Sequence, residues 1–488
     1  MAQSPEAPPA SAAGDGTHQL RRGSLGVFGV AFFVVSAAAP LTAMAGGAPT
    51  AIAFSNGMGV PAAYVLVVLM LLVFSVGYTA MARHHTSTGA FYSYIARGLR
   101  QRAGGAAALL ALLGYNAMQI GLYGLFGVAM SGFLKDPVGL DVPWWVCAFV
   151  ALAVISVLGY RQVDLSLKVL SVLVVAEFVV VLALDVAILA KGGTMASGAA
   201  ISMAPFGWDA LTGLGGGALA LAVLFNSAAF VGFEATTIYS EEARDPKRTV
   251  PRATYVAVLT IGVFYVFTTW LMVNAGGLDG VQKFISDLGP DPTVMLFAIG
   301  GQYLGTTFVN VMSLLFATSV FAALLAFHNA VARYLYALGR THAVHLSPHA
   351  GSVSQSALAA VVVAIFVITD RDPVTQLFVW LTNLGTLAIL VLMAMASFAV
   401  LAFFRRHPDL DRNVWRTLVA PLVAGLALVA AVVFAYLSFD DLIGPQGWLT
   451  WGLPLLVPVA AVAGVVAAGV LQRRDPQRYA EMGRHRDI

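Results

Sequence analysis

About twelve long apolar runs set the limits on what this chain can become. They are 26–54, 60–82, 106–134, 143–160, 164–190, 211–239, 252–276, 302–337, 356–369, 374–404, 417–437 and 450–471. A helix needs roughly 20 apolar residues to cross the hydrocarbon of a bilayer. Backbone polar groups find no water there, so only helices and closed barrels span it, and runs of this length select helices. The balance of residues agrees: 10% of the 488 are charged and 59% hydrophobic, whereas soluble domains carry about 25% charged residues. The expected fold class is an all-α integral membrane protein with about twelve transmembrane helices.

Charge sets the orientation. Of the 27 Lys and Arg, 23 fall in one alternating set of connections and ends, and only Lys135, Lys191, Lys283 and Arg371 in the other. The positive-inside rule then places both termini in the cytoplasm, with the chain a multi-pass protein of the cytoplasmic membrane. Residues 1–22 read as a disordered cytoplasmic tail, and no secretory signal is evident. The net charge of +3 is small and its basic residues sit in short connections, which argues against nucleic acid. The single cysteine, Cys147, excludes a disulfide and a cysteine metal cluster. His84-His85, His342, His345 and His349 lack ligand spacing, so no metal and no cofactor is expected. Nothing resembles a nucleotide-binding Walker loop. Two isolated membrane-depth acids without paired His or Ser do not make an intramembrane enzyme. A sensor on the same scaffold would usually carry a sizeable soluble domain, and neither tail is one.

Two of the runs are interrupted. The sixth contains Phe230-Val231-Gly232-Phe233-Glu234. A carboxylate at bilayer depth is expensive and normally faces a bundle interior or an ion path. Unwound backbone at that depth is tolerated only where it lines a cavity. The first run contains Pro40, Gly46-Gly47 and Pro49, and proline removes a hydrogen bond and clashes with the preceding turn. It reads as two half-helices joined near Ser36–Leu41; a plain proline kink is the alternative. These runs open two successive groups of five, and interruptions at matching places in two halves point to a transporter's binding site. The expected organisation is a first five-helix repeat over 23–190, a second over 211–404, two further helices within 417–471 and a cytoplasmic tail over 472–488. A short interfacial helix is expected within 83–105, and an outer capping helix within 277–300.

The run GFEATTIYSEEARDPKRTVPRA, from Gly232, resembles the span-six signature of the amino acid–polyamine–organocation superfamily. Arg333–Arg340 (RYLYALGR) is similar to the same family's end of span eight, and Ser87–Tyr94 (STGAFYSY) to its approach to span three. The resemblance covers spans one to ten. The usual Gly-Ser-Gly break of span one is Ser36-Ala37-Ala38-Ala39-Pro40 here. It implies a five-plus-five inverted repeat with broken helices one and six and two added C-terminal helices. It also implies alternating access and an amino acid or polyamine substrate, often moved with protons.

Electrostatics supports such a site. Freed N–H groups at the start of an outer half-helix suit a substrate carboxylate, and freed carbonyls of the facing half-helix suit its ammonium. These contacts are expected from Ser36, Ala37, Ala38, Ala39, Pro40 and Leu41, and from Phe230, Val231 and Gly232. Phe230 and Phe233 are expected to close over the substrate or to pack the core. Tyr115 and Gln119 share a helix face; with Asn116 and Asn226 they either line the cavity or bond between helices. Glu177 lies mid-span with no cation nearby in sequence. Three roles stand open for it: carrying the coupling proton, holding a sodium ion or cationic substrate while ionised, or bonding across helices as a neutral acid. Some proton-coupled relatives have a lysine at the position aligned with 177, so position carries over and charge does not. Glu234 either relays protons or steadies the unwound segment. Thr318 and Ser319 are the possible hydroxyls of an ion site beside span one, although back-bonding within the helix competes. Asp185 and the pair His328-Asn329 are weaker candidates. Glu241-Glu242 with Arg244, Lys247 and Arg248 make an inner gate or a loop network. The expected function is a secondary active transporter, a proton-coupled amino-acid permease. Amine or polyamine exchange, or sodium coupling, is the alternative. The expected partners are a small-molecule substrate, a proton or sodium ion, and the lipid bilayer.

Overall fold

A computed structural model describes residues 26–84, 90–161, 167–193, 200–234, 236–237, 243–341 and 348–482. The tail over 1–22, the last residues of the 472–488 tail, Ser87–Gly89, His85, Glu241-Glu242, His342 and His345 lie outside them. No β-strand occurs among the described residues.

The first crossing is built from α1 (Val27–Ala37), a π-helical stretch and α2 (Ala48–Phe54). Then come α3 (Val60–Ala82), α4 (Ala90–Leu99), α5 (Gln101–Lys135), α6 (Trp144–Tyr160) and α7 (Leu167–Lys191). The second half holds the short α8 (Trp208–Thr212), α9 (Gly215–Ala228), α10 (Pro246–Gly276), α11 (Val281–Leu288), α12 (Val294–Leu304), α13 (Thr306–Thr341), α14 (Pro348–Ile368) and α15 (Val379–Arg406). Two further crossings, α16 (Ala420–Leu437) and α18 (Trp448–Arg474), flank α17 (Phe439–Ile443), and α19 (Pro476–Glu481) follows.

Ten helical stretches among the described residues are long and apolar enough to cross a membrane. The shorter α6 and α9 fall in the other two runs read from the sequence. The 17 residues of α6 reach about 25 Å at 1.5 Å per residue, and Trp144 and Tyr160 at its ends suit the interfaces. The 14 residues of α9 reach only about 21 Å; residues 229–232, which follow it, are turn rather than regular helix. The amphipathic α4 and the paired α11 and α12 occupy the two connections expected to hold short helices.

Lipid offers apolar side chains no incentive to leave it, so membrane helices associate through close packing of small residues. Helix α5 is the hub, packed by α13, α15 and α18. A Cβ on Gly105 of α5 would lie 2.4 Å from the Gly464 carbonyl oxygen of α18, and one on Gly464 only 2.2 Å from that of Gly105. The two backbones therefore touch, which is how α18 docks although most of it faces outward.

Candidate functional site

The first crossing breaks at Ala38-Ala39. The Ala38 N–H still reaches the Val34 carbonyl, at 3.1 Å, and that of Ala39 makes a tighter turn to Ser36, at 3.2 Å. Ala39 then adopts φ +44°. A following proline disfavours the helical region for the residue before it, and the left-handed region costs an alanine about 1–2 kcal/mol, so packing must hold this turn. Helix resumes at Pro40, which has no N–H, and its first donors have no helical partner. Side chains from other helices take them. Leu41 N–H donates to Glu177 Oε2 of α7 at 3.1 Å, and Thr42 N–H to Ser319 Oγ of α13 at 3.3 Å. The Thr42 hydroxyl donates to the same oxygen at 2.9 Å. Glu177 is 2% exposed.

The sixth crossing breaks after Ala228. Phe230 and Val231 N–H close tight turns onto Ser227 and Ala228, and Gly232 sits at φ +111°, a conformation glycine adopts without steric penalty. Its N–H donates to Glu234 Oε2 at 2.9 Å, and the Tyr115 phenol of α5 donates to Glu234 Oε1. The Thr237 hydroxyl donates to the Glu234 carbonyl at 3.0 Å and lies 2.8 Å from the Tyr78 hydroxyl of α3. Glu234 thus ties the unwound turn to two neighbouring helices.

The two breaks face each other. A Cβ built on Gly232 would meet the Ala37 Cβ at 3.6 Å. The Tyr265 hydroxyl of α10 lies 3.3 Å from both the Ala38 and the Ala229 carbonyl oxygens, and so bridges the broken ends. Phe230 covers this point, its ring 5.4 Å from that of Tyr265 and 6.4 Å from that of Tyr64. Phe233 packs edge-on against Phe74. Ser36, Pro40 and Val231 are buried, while Ala37 and Gly232 are half-buried.

Other expected residues lie elsewhere. Gln119 sits one turn from Tyr115, yet joins a separate buried network: its Nε2 is 3.3 Å from His328 Nδ1, it accepts from Gln355, and His328 Nε2 is 2.8 Å from Ser352 Oγ. Asn226 donates to the Val60 carbonyl at the start of α3, and Asn116 to Leu112 in its own helix. None of these bonds reaches the broken ends. The Thr318–Ser319 pair does not assemble. Adjacent helical residues point about 100° apart, so Thr318 back-bonds to Leu315 and lines an apolar cavity of about 420 Å³ between α5, α6 and α13. Asp185 is not at a wetted end: it is buried and accepts from Thr268 of α10 at 2.7 Å. No group of three or more metal-ligating side chains occurs among the described residues. Tyr265, Tyr64 and Thr42 escaped sequence reading. A tyrosine inside an apolar run was the available sign, because a buried phenol seeks a partner.

Facing interruptions in two membrane crossings, with main-chain polar groups turned toward a common point, are the architecture of a secondary transporter. Comparison with known proteins narrows this. The family model for amino acid permease matches residues 25–465, and the chain belongs to that family of permeases, which are transporters and not enzymes. It is 24% identical over 428 residues to the branched-chain amino acid permease BcaP of Bacillus subtilis (strain 168), covering 82% of this chain and 85% of that one. It is also 24% identical over 289 residues to the low-affinity putrescine importer PlaP of Escherichia coli (strain K12), covering 58% of this chain. That match spans only 59% of the putrescine importer's length. An L-asparagine permease of Salmonella typhimurium (strain LT2) is 25% identical over 49% of this chain.

Proposed function

We propose that the chain moves an amino acid across the cytoplasmic membrane by alternating access, with a proton carried on Glu177. The observation behind this reading is the Leu41 N–H to Glu177 bond. That N–H is one of the first free donors of the outer half-helix, where the positive end of the helix dipole favours an anion. An ionised Glu177 occupies it. Protonating Glu177 weakens the bond and releases the donor to the substrate's own carboxylate, so proton and substrate arrive together. Losing the proton on the other side lets Glu177 reclaim the donor and displace the substrate. The Ala38 and Ala229 carbonyls beside Tyr265 would receive the ammonium. Glu234 holds the turn through its bonds to Gly232 and Tyr115 and stays in place. Ser319, bonded to Thr42, serves the proton group as a hydroxyl relay rather than as half of a sodium site.

A second reading rests on a different feature. Two acids face the breaks, and the described residues bring no basic side chain into contact with either. An amine without a carboxylate would leave Glu177 and Glu234 ionised and need no coupling proton; similarity to a putrescine importer gives this weight. One experiment separates the two. Purified protein is screened by thermal shift against amino acids and diamines, then reconstituted in liposomes with imposed pH or sodium gradients. The first reading expects an amino acid that stabilises the protein and accumulates with an inward proton gradient. Stabilisation by diamines alone, with uptake indifferent to pH, supports the second.

A further inference from the structure

We propose that the chain carries a second site, distinct from the breaks, that binds a phosphate-bearing anion at the face of the membrane where α3 ends and α10 begins. A cavity of about 540 Å³ opens there, lined by Arg83, Lys247, Arg248, Arg252 and Arg416, with Asp411 its one carboxylate among the described residues. Asp411 is shared weakly with Arg416 at 3.9 Å, and Arg248 reaches Asp245 at 3.7 Å. No carboxylate among the described residues lies within ion-pair distance of Arg83, Lys247 or Arg252. The Arg83 Nε is buried and bonded to nothing, and a buried charged donor left unmatched is unfavourable.

Positive residues on one face of a membrane protein are ordinary. Their convergence on one concavity is different, because like charges held together without an anion repel. Helix α10 adds to the deficit. It is 31 residues long, its N-cap Asp245 makes no side-chain cap bond, and its second and third residues, Lys247 and Arg248, line the cavity, so the positive end of its dipole lies beside it. His84 stands on the wall. Burial holds its protonation below the ordinary range, Asp411 pulls the other way, and Lys247 and Arg83 push it down further. Basic pockets beside membrane helices suit phosphate headgroups, and Arg side chains match phosphate oxygens two at a time. The shared chemistry is a phosphate ester or free phosphate; an anionic phospholipid and a soluble phosphate are the two sources. An occupant would tie the end of α3 and the start of α10, two helices that reach the breaks through Tyr78 and Tyr265, to the connection between α15 and α16.

The test uses full-length protein and the variant Lys247→Gln/Arg252→Gln, whose exposed positions leave folding intact. Native mass spectrometry titrates phosphatidylglycerol against phosphatidylcholine. Thermal shift compares inorganic phosphate with chloride at equal ionic strength. Near an anionic surface each Lys or Arg contributes roughly fivefold, so the double variant should lose roughly 25-fold in affinity for the anion. Retention of one phosphatidylglycerol by the wild type, undisturbed by phosphate, supports the site with a lipid as its source. Stabilisation by phosphate that also displaces the lipid supports the site with a soluble source. Equal lipid binding by wild type and variant, with phosphate no better than chloride, overturns the proposal.

Discussion

Replacing Gly232 by alanine isolates the unwound turn of the sixth crossing. The added methyl has room, since its nearest neighbour is the Ala37 Cβ at 3.6 Å, an ordinary contact. What it lacks is a comfortable backbone, because Gly232 sits at φ +111°. Holding a non-glycine residue in such a region costs about 1–3 kcal/mol. The chain meets this by tolerating the strain or by rewinding the turn, which forfeits the 2.9 Å bond from the Gly232 N–H to Glu234. If substrate binds only the unwound form, apparent affinity falls with the population of that form. At tenfold per 1.4 kcal/mol, the loss is roughly 5- to 150-fold. The control is Gly47→Ala in the first crossing. Gly47 has helical angles, φ −72° and ψ −49°, and nothing within 4 Å of an added Cβ, so it should be neutral or slightly stabilising. Radioligand binding to detergent-solubilised protein and thermal unfolding measure both variants. Equal affinity and equal thermal midpoints for the two would refute a backbone-determined break.

Three further outcomes follow from particular contacts. Tyr115→Phe leaves the Glu234 Oε1 without its donor, at about 1–3 kcal/mol, and should lower the thermal midpoint more than Tyr123→Phe, whose phenol receives only a 3.3 Å contact from Gln119. Gly464→Ala puts a methyl 2.2 Å from the Gly105 carbonyl oxygen; overpacking of this kind costs about 1–3 kcal/mol, whereas Gly469→Ala on the same helix meets nothing within 4 Å and should be silent in a melting assay. His84 takes up its proton less readily folded than at its ordinary 6.5, through burial first and then Lys247 and Arg83 against Asp411. The unfolded chain therefore protonates first, and stability should fall as pH drops through about 6.5; His84→Gln should flatten that slope in melting curves taken from pH 5 to 8.

Much of this arrangement was readable in the linear chain because hydrocarbon enforces it. Twelve apolar runs match helical elements, since no other open structure satisfies backbone groups in lipid. Pro40 and Gly232 marked the interruptions because each limits or frees one backbone angle. Glu177 and Glu234 stood out by their expense at that depth. What the sequence could not give was which face of each helix meets which neighbour. Gln119 lies a single turn from Tyr115, yet it bonds to His328 and Gln355 instead of the breaks. Ser319 reaches Thr42 while Thr318 beside it turns to an apolar cavity. Tyr265 bridges both broken ends from α10, and its contact with Ala38 spans 227 residues, which no local pattern encodes.

The central claim is that Glu177 and the substrate carboxylate compete for the Leu41 N–H. Glu177→Gln tests it most directly, because glutamine still accepts from that N–H but takes up no proton. Uptake into liposomes should be compared for wild type and variant, with and without an inward proton gradient, alongside exchange of substrate at equal pH on both sides. The account predicts that the variant keeps exchange and loses all stimulation by the gradient. A variant driven by the gradient as strongly as the wild type would contradict it.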